Sequence, residues 1–420
     1  MTAPVAAESA IEAAAAIGFG IARRALWSDD RCTWFEAIPT LPNQNPAIST
    51  VASADVYGGT AGIGWFLAQA ARRSGDALLR RTARGALRQA SARSSDHLAA
   101  MPHGFYGGAA GIGAALVLAG CDLDEPELVA AGRNLLLAVP LDAPVRDVTD
   151  LIGGIAGTIM ALALAADALD RDAALACRAS DFAERLLARG QRGPDGTLSW
   201  HTLDERRANL TGFAHGTAGI AHALLLLDAL APNPALHEAA SAAFAYEATT
   251  YDPAQQNWPD YRLFPGQPVA PLSCAVAWCH GAPGIVRSRL LAEAHGGFDV
   301  AAEIHAGLAT TARTAREWYR LPQMDFTACH GVFGLVDTLL DGARSGRDAH
   351  TGVLKEIVGH ALEHIHRGER PWPSGLASRE EISGLMLGNA GIGHILLRLA
   401  DPQLPSLLAP TVRAAAVQTL

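Results

Sequence analysis

The sequence predicts an all-α fold, an (α/α) toroid in which seven inner helices alternate with seven outer helices. Three observations support this: a glycine motif occurs seven times, a strongly apolar segment follows each copy, and amphipathic segments lie between the copies. Glycine costs about 1 kcal/mol relative to alanine inside a helix. The 42 glycines of this alanine- and leucine-rich chain should therefore lie mainly between helices. No convincing run of alternating β-branched residues indicates a sheet.

The repeated motif is G-x-x-G, and its first glycine recurs at intervals of 46 to 65 residues. The seven first glycines are Gly59, Gly108, Gly154, Gly216, Gly281, Gly331 and Gly388. A fixed motif that recurs with such a period is typical of repeat architectures. Each repeat should contact its neighbours, and no long polar linker divides the chain, so residues 1–420 are predicted to form a single domain.

The segments on either side of each motif predict two kinds of helix. Those that follow a motif, such as Ala221–Leu230, are apolar on most faces and should be buried. Those between motifs carry apolar residues at three-to-four spacing and charges on the other face, as in Asp76–Ala92, Asp172–Arg189 and Thr351–His366, with Glu8–Leu26 as the N-terminal member. An open solenoid also alternates two helices, but its concave face would need a polar stripe. The apolar inner segments therefore favour a closed ring.

Composition and charge exclude several classes of protein. The chain has 33 Lys and Arg against 42 Asp and Glu, a net charge of −9, and 50% of its residues are hydrophobic, which excludes global disorder. The lack of a basic tract argues against nucleic acid and against an anionic membrane surface as partners. No apolar run approaches the ~20 residues of a membrane span. The N-terminal charges do not fit a secretory signal, and six cysteines do not indicate a disulfide scaffold, so a cytoplasmic location is expected.

Three copies of the motif contain residues that can bind a metal. Copy four has His215, copy five has Cys279 and His280, and copy six has Cys329 and His330. If the copies are structurally equivalent, these side chains converge at one end of the ring. An isolated Cys–His pair is more often a pair of packing residues, but two pairs at matching repeat positions favour a metal. Thiolates and imidazole are typical ligands of zinc.

These motifs resemble those of the lanthionine synthetase C-like cyclases. The resemblance rests on the glycine repeats, on Trp278-CHGAPGI and Ala328-CHG, on Phe213-AHGTAGI and on Gly384-LMLGNAGIGHILLRLA, and it covers nearly the whole chain. The closing segment and Trp258-PDYR are most similar to the cyclase half of class II lanthipeptide synthetases, although 420 residues leave no room for their large N-terminal dehydratase. The family's double ring of seven inner and seven outer helices agrees with the predicted count.

The resemblance implies a zinc ion held by Cys279, Cys329 and His330, with a fourth position open to a substrate thiol. It implies conjugate addition of a peptide cysteine to dehydroalanine or dehydrobutyrine, which forms a lanthionine or methyllanthionine thioether. For protonation or stabilisation of the enolate it indicates His215 and Asp150, although Asp150 could equally be a helix N-cap. The expected partners are a dehydrated ribosomal precursor peptide and a separate dehydratase.

Two positions depart from the family's pattern, and two other functions stay open. Some members have an arginine at the position of Ala275 and a tyrosine at that of His280, which here could donate a proton or lie beside the ligands. One alternative function is addition of a small thiol such as glutathione to dehydrated residues of damaged proteins. The other is a non-catalytic scaffold for a dehydratase and a leader peptide. Retention of all three ligands with His215 and Asp150 argues against a scaffold.

Overall fold

The computed structural model describes residues 3–37, 49–142, 148–264, 266, 268–269, 271–321, 325–368, 370–374 and 381–413. Within these ranges the secondary structure is fifteen α-helices and six short strands, so the predicted all-α class is confirmed. The chain packs as two compact units. Unit 1 comprises Met1–Ser95, Ala115–Gly132 and Thr311–Leu408, and unit 2 comprises Asp96–Ala114, Arg133–Thr310 and Ala409–Leu420.

The elements follow one another in chain order. The helices are α1 (Ala3–Arg23), α2 (Thr60–Ser74), α3 (Ala77–Ala92), α4 (Ser94–Ala100), α5 (Ala109–Leu123), α6 (Pro126–Ala138), α7 (Ile155–Ala168), α8 (Ala173–Ala188), α9 (Thr217–Leu230), α10 (Pro234–Thr250), α11 (Ala282–His295), α12 (Ala301–Trp318), α13 (Val332–Arg344), α14 (Thr351–Ala361) and α15 (Asn389–Ala400). A π-helical turn, Leu362–His366, continues α14. The antiparallel strand pairs are β1 (Leu26–Ser28) with β2 (Arg31–Thr33), β3 (Phe35–Ala37) with β4 (Ser49–Val51), and β5 (Gln191–Arg192) with β6 (Leu198–Ser199).

The helices alternate as the glycine motif predicts. In the described chain, α2, α5, α7, α9, α11, α13 and α15 each begin directly after the first glycine of a motif, and they alternate with α1, α3, α6, α8, α10, α12 and α14. The short α4 is an addition. Helices α7 and α9 are buried along nearly their whole length, whereas α3 and α8 bury one face. The seven-and-seven alternation is confirmed.

The second glycine of the motif is required by a close approach of the chain. A Cβ atom at Gly111 would overlap the carbonyl oxygen of Phe105, and one at Gly157 would overlap that of Leu151. The segment ahead of each helix thus folds back onto the first helical turn, which leaves no space for a side chain. The motif is a packing requirement at the start of these helices.

Within unit 1, the two ends of the repeat array are in contact. Helix α1 packs against α15. The backbone N–H of Met386, in the seventh copy of the motif, donates to the carbonyl of Tyr57 in the first copy at 2.8 Å. The first and seventh copies of the motif are therefore hydrogen-bonded neighbours within this unit.

Within unit 2, α9 packs against α7, α10 and α11. Helix α11 departs from the apolar pattern because Arg289 is fully buried in it. The guanidinium contacts Glu247 of α10 at 2.8 Å and Glu303 of α12 at 2.5 Å. Glu247 also accepts hydrogen bonds from the backbone N–H groups of Gly212 and Ala218, each at 3.0 Å. Paired charges therefore join three helices to the segment that precedes α9. None of the described helices is both long and apolar enough to cross a membrane.

Candidate active site

The segments that precede α7, α9 and α11 in unit 2 are joined by a ladder of backbone hydrogen bonds. The N–H of Leu151 donates to the carbonyl of Ala214 at 3.2 Å, and the N–H of Ala214 donates to the carbonyl of Cys279 at 3.1 Å. Asp150 and His215 are the chain neighbours of the first two residues. The ladder thus places both candidate acid–base residues on segments that adjoin Cys279.

The side chains of Asp150 and His215 form a close pair. Nδ1 of His215 lies 2.5 Å from Oδ2 of Asp150, whose side chain is 3% exposed, against 25% for the histidine. Burial disfavours the charged imidazole, but the hydrogen bond and the charge of Asp150 outweigh it and raise the pKa of His215. A carboxylate on Nδ1 orients the ring and directs Nε2 away from the pair, an arrangement suited to general acid–base catalysis.

The alternative role of Asp150 as a helix N-cap is not what the structure shows. The N-cap of α7 is Gly154, and no side chain caps that helix. Oδ1 of Asp150 instead accepts a hydrogen bond from the N–H of Gly153 at 2.9 Å, one residue before the cap. Asp150 therefore fixes the turn ahead of α7 with one oxygen and binds His215 with the other.

His280 is buried, stacks on His215 and lies in a partly buried polar cluster. The two ring centroids are 5.8 Å apart with an interplanar angle of 28°. Nδ1 of His280 is 4.0 Å from Asp260, and Arg262 binds that carboxylate in a bidentate manner at 2.7 and 3.0 Å. Burial, and next the charge of Arg262, lower the pKa of His280 to about 3, so its ring is neutral near pH 7. Its buried Nε2 has no hydrogen-bond partner within the described part of the chain.

The other two proposed ligands lie in unit 1, each with a polar partner. The hydroxyl of Tyr57 donates to Sγ of the buried Cys329 at 3.2 Å. Nδ1 of His330 is 3.3 Å from Oδ2 of Asp325, whose other oxygen accepts from the N–H and the hydroxyl of Thr327 at 2.9 and 2.7 Å. Burial opposes the charge of Asp325, but His330 and Thr327 outweigh it and lower its pKa. A carboxylate behind Nδ1 is the usual support of a histidine that binds a metal through Nε2.

The chemistry of the donors fits zinc. Two thiols and one imidazole form a typical zinc ligand set, and both supporting contacts favour the ligating forms. None of the six cysteines forms a disulfide within the described residues. Burial raises the pKa of Cys32 to about 12 and that of Cys274 to about 11, as expected of packing residues.

Sequence reasoning missed four polar partners of the candidate residues, namely Tyr57 and Asp325 in unit 1 and Asp260 and Arg262 in unit 2. Asp260 and Arg262 occur in the Trp258-PDYR segment, which was noted only as part of a resemblance. Tyr57 occupies, in copy one, the position that Cys279 and Cys329 occupy in copies five and six, so the repeat itself contained the signal. No local pattern marks Asp325, which precedes its histidine by five residues.

Comparisons with known proteins address the family and the fold. Residues 50–410 match the model of the family described as lanthionine synthetase C-like protein. Sixteen solved chains match in structure. Nisin cyclase matches with a TM-score of 0.59 and 16% identity, over 84% of this chain and 90% of that one. The cellobiose 2-epimerase from Spirochaeta thermophila DSM 6192 matches with a TM-score of 0.51 and 16% identity, over 95% and 98%. No curated protein matches the sequence. At this identity the solved structures show the fold, and the predicted (α/α) class is confirmed.

Proposed function

Because the chain belongs to the lanthionine synthetase C-like family, we propose that it is a zinc-dependent peptide cyclase. It adds the thiol of a peptide cysteine to a dehydroalanine or dehydrobutyrine of a dehydrated ribosomal precursor and forms a (methyl)lanthionine ring. The observation that carries this proposal is the partly buried Asp150–His215 pair, joined through the backbone of Ala214 to Cys279. It provides an acid–base imidazole beside one of the proposed metal ligands.

The proposed zinc ligands are Cys279, Cys329 and His330. Support comes from the contact of Asp325 with Nδ1 of His330 and from the hydrogen bond that Tyr57 donates to Cys329. When bound, zinc supplies a Lewis acid that lowers the pKa of a substrate thiol and keeps the thiolate nucleophilic at neutral pH.

His215 is the proposed proton donor. The substrate sulfur forms a bond to the β-carbon, and the electron pair of the carbon–carbon double bond moves to the α-carbon and the adjacent carbonyl as an enolate. The α-carbon then takes a proton, which Nε2 of imidazolium His215 supplies. Asp150 favours the imidazolium and holds Nδ1, so that Nε2 is the nitrogen that exchanges the proton.

His280 is a positioning residue in this proposal. Its neutral ring stacks on His215, and two adjacent imidazolium ions would repel each other. Burial is the largest cause of the lowered pKa of His280, the charge of Arg262 adds to it, and the charge of Asp260 opposes it. The cluster thus keeps the proton on His215 and not on its neighbour.

We further propose that residues 1–420 act as one cyclase domain, in the cytoplasm, with a separate dehydratase that supplies the substrate. The lack of a membrane-spanning helix among the described helices is compatible with this location. A separate dehydratase is needed because the reaction consumes dehydrated residues and the proposed site holds no chemistry for eliminating water from serine or threonine.

A synthetic peptide that contains one dehydroalanine and one cysteine tests the function. Ring closure leaves the mass unchanged but removes the cysteine from alkylation by iodoacetamide, and mass spectrometry counts the alkylated thiols. Loss of alkylation with the wild type, but not with Asp150→Asn, supports the cyclase. An adduct with added glutathione and an alkylatable cysteine would favour the small-thiol alternative, and no reaction with either thiol would favour a scaffold.

A further inference from the structure

A second group of potential metal ligands lies in unit 2, away from the glycine motifs. Asp228 is in the last turn of α9, His295 is the last residue of α11, and His237 is in the first turn of α10. One ligand atom of each lies within 4.8 Å of the other two. The glycine motifs precede the N-termini of α9 and α11. With a rise of about 1.5 Å per residue, this group is roughly 20 Å from them along the helices.

Asp228 is held in place for binding. Its Oδ1 accepts a hydrogen bond from the N–H of Asn233 at 2.7 Å, and its Oδ2 is 2.8 Å from Nε2 of His295. The carboxylate is 7% exposed. The separation of 2.8 Å is about 0.2–0.6 Å shorter than the roughly 3.0 Å (octahedral) to 3.4 Å (tetrahedral) between neighbouring ligand atoms that each lie about 2.1 Å from one metal ion. The pair therefore needs little movement to chelate.

His237 completes the group from the neighbouring helix. Its ring packs against that of Phe298, with the ring centroids 4.3 Å apart, and its centroid is 5.9 Å from that of His295. Neither of its nitrogens has a hydrogen-bond partner within the described residues. Gly297 has a φ of +83° and runs close to the ring, since a Cβ there would lie 3.1 Å from Cε1 of His237. The backbone at Gly297 thus covers the imidazole of His237, whose nitrogens remain able to bind a metal.

Asp228 supplies the negative charge that a cation would need. A carboxylate in the last turn of a helix faces the negative end of the helix dipole. Arg171 donates to the last carbonyls of α9, at Ala229 and Leu230, so its positive charge offsets part of the dipole and leaves the carboxylate of Asp228 as the ligand charge. His295 supplies a charge to Asp228 only when it is protonated. A divalent ion would compensate the charge of the carboxylate.

We propose that Asp228, His237 and His295 bind a divalent transition-metal ion, such as Zn²⁺, that ties together the ends of α9, α10 and α11. Two imidazoles and one carboxylate suit zinc and its neighbours, whereas Mg²⁺ and Ca²⁺ prefer oxygen ligands. Half-buried His237 leaves room for water to complete the coordination. This site is separate from the proposed catalytic zinc and does not depend on the cyclase function.

The test counts zinc in the full-length chain after chelation, dialysis and reloading, by plasma mass spectrometry and by calorimetric titration with Zn²⁺. We expect two equivalents in the wild type and one in Cys279→Ala/Cys329→Ala, which retains the new site. His237→Ala should lose one equivalent, or bind it at least about tenfold more weakly. The matched control is His305→Ala, since His305 is an exposed histidine of α12.

Co²⁺ bound to Cys279→Ala/Cys329→Ala should lack the strong thiolate-to-cobalt absorption, and Ca²⁺ should not compete with it. Equal zinc content in His237→Ala, His305→Ala and the wild type would overturn the proposal. If the cysteine variant fails to fold by circular dichroism, the comparison of His237→Ala with His305→Ala decides alone. If instead the cysteine variant keeps both equivalents while His237→Ala loses one, the catalytic assignment fails and this site stands.

Discussion

Nδ1 of His215 lies 2.5 Å from a carboxylate oxygen of Asp150, a residue 65 positions earlier in the chain. This contact joins the third and fourth copies of the glycine motif. It also gives the two imidazole nitrogens different roles. Nδ1 contacts the carboxylate and fixes the orientation of the ring, whereas Nε2 faces away from the pair. The proposed acid–base chemistry depends on this division.

Asp150→Asn should slow ring closure by about 10²–10⁴-fold, because an amide cannot stabilise the imidazolium of His215. Asp55 provides the matched control. It also stands four residues before the first glycine of its motif, and it holds its turn by accepting from the N–H groups of Gly58 and Gly59. Asp55→Asn should therefore leave the rate nearly unchanged. Equal losses in both variants, measured by thiol alkylation, would mean that Asp150 acts through its turn alone.

The pH dependence follows from the raised pKa of His215. The imidazolium persists above the ordinary histidine pKa of about 6.5, so activity should be kept there and fall as pH rises through the folded-state pKa. The Asp150–His215 pair also contributes to the free energy of unfolding. This contribution is complete below pH 6.5 and is lost as the pH rises through the folded-state pKa of His215. His215→Asn should slow closure by about 10²–10⁴-fold and abolish the alkaline fall. A pH–rate profile in deuterated solvent, with the configuration at the α-carbon, checks this, and an unaltered profile would contradict it.

Removal of the proposed catalytic zinc should abolish activity but not the fold. Cys279→Ala and Cys329→Ala should each lose one equivalent of zinc and all ring closure while keeping their helical circular dichroism, because the core of a large helical chain does not rest on this site. Cys177→Ala is the control, since Cys177 is an exposed cysteine of α8. Undiminished zinc in the double variant would contradict the assignment, and unfolding on chelation would indicate a structural ion.

Acid should destabilise the fold through His222. This residue of α9 is fully buried, and burial lowers its pKa to about 4. Its hydrogen bond to the carbonyl of Pro410 at 3.3 Å raises the pKa but does not outweigh the burial. Between pH 6.5 and pH 4 the unfolded chain binds a proton that the folded chain does not, so stability falls by roughly 3 kcal/mol as pH is lowered. Urea unfolding of the wild type and of His222→Phe at pH 7 and 4.5 measures this. An equal loss in both proteins would assign the acid sensitivity to other groups.

The glycine motif predicts a contrast between two neighbouring glycines. Gly157→Ala should destabilise the chain by about 2–4 kcal/mol, because its Cβ would overlap the carbonyl of Leu151 and the backbone of Phe105. Gly153→Ala should change stability by less than about 0.5 kcal/mol, since nothing lies within 4 Å of a Cβ there. Thermal unfolding compares the two, and similar melting temperatures would contradict the packing account.

The helix starts could be predicted because their cause is local. A glycine needed for close packing marks the same point in every repeat, and Asp76 and Asp172 cap α3 and α8 at the predicted boundaries by accepting from two backbone N–H groups each. The strand pairs could not be predicted in this way. Each strand has two or three residues, too few for an alternating pattern to show.

The same distinction between local and distant causes applies to the candidate site. His215, Cys279 and the other motif residues were found because they interrupt a repeat whose copies can be aligned. The surroundings that tune them depend on contacts between distant segments, which no local pattern contains. Arg289 is a further example, because the burial of its charge in α11 requires the carboxylate of Glu247 on another helix.

The backbone ladder from Leu151 through Ala214 to Cys279 has a consequence for how such a site can change during evolution. Main-chain groups alone form its hydrogen bonds, so each rung can form with any side chain except that of proline, which has no N–H to donate. A single codon change can therefore exchange one reactive group for another without disturbing the placement of its neighbours. Intervals between motifs vary from 46 to 65 residues while the motif itself keeps its length, so the differences in repeat length lie outside the motif. The scaffold separates the position of a functional group from its identity, which makes new chemistry accessible by substitution alone.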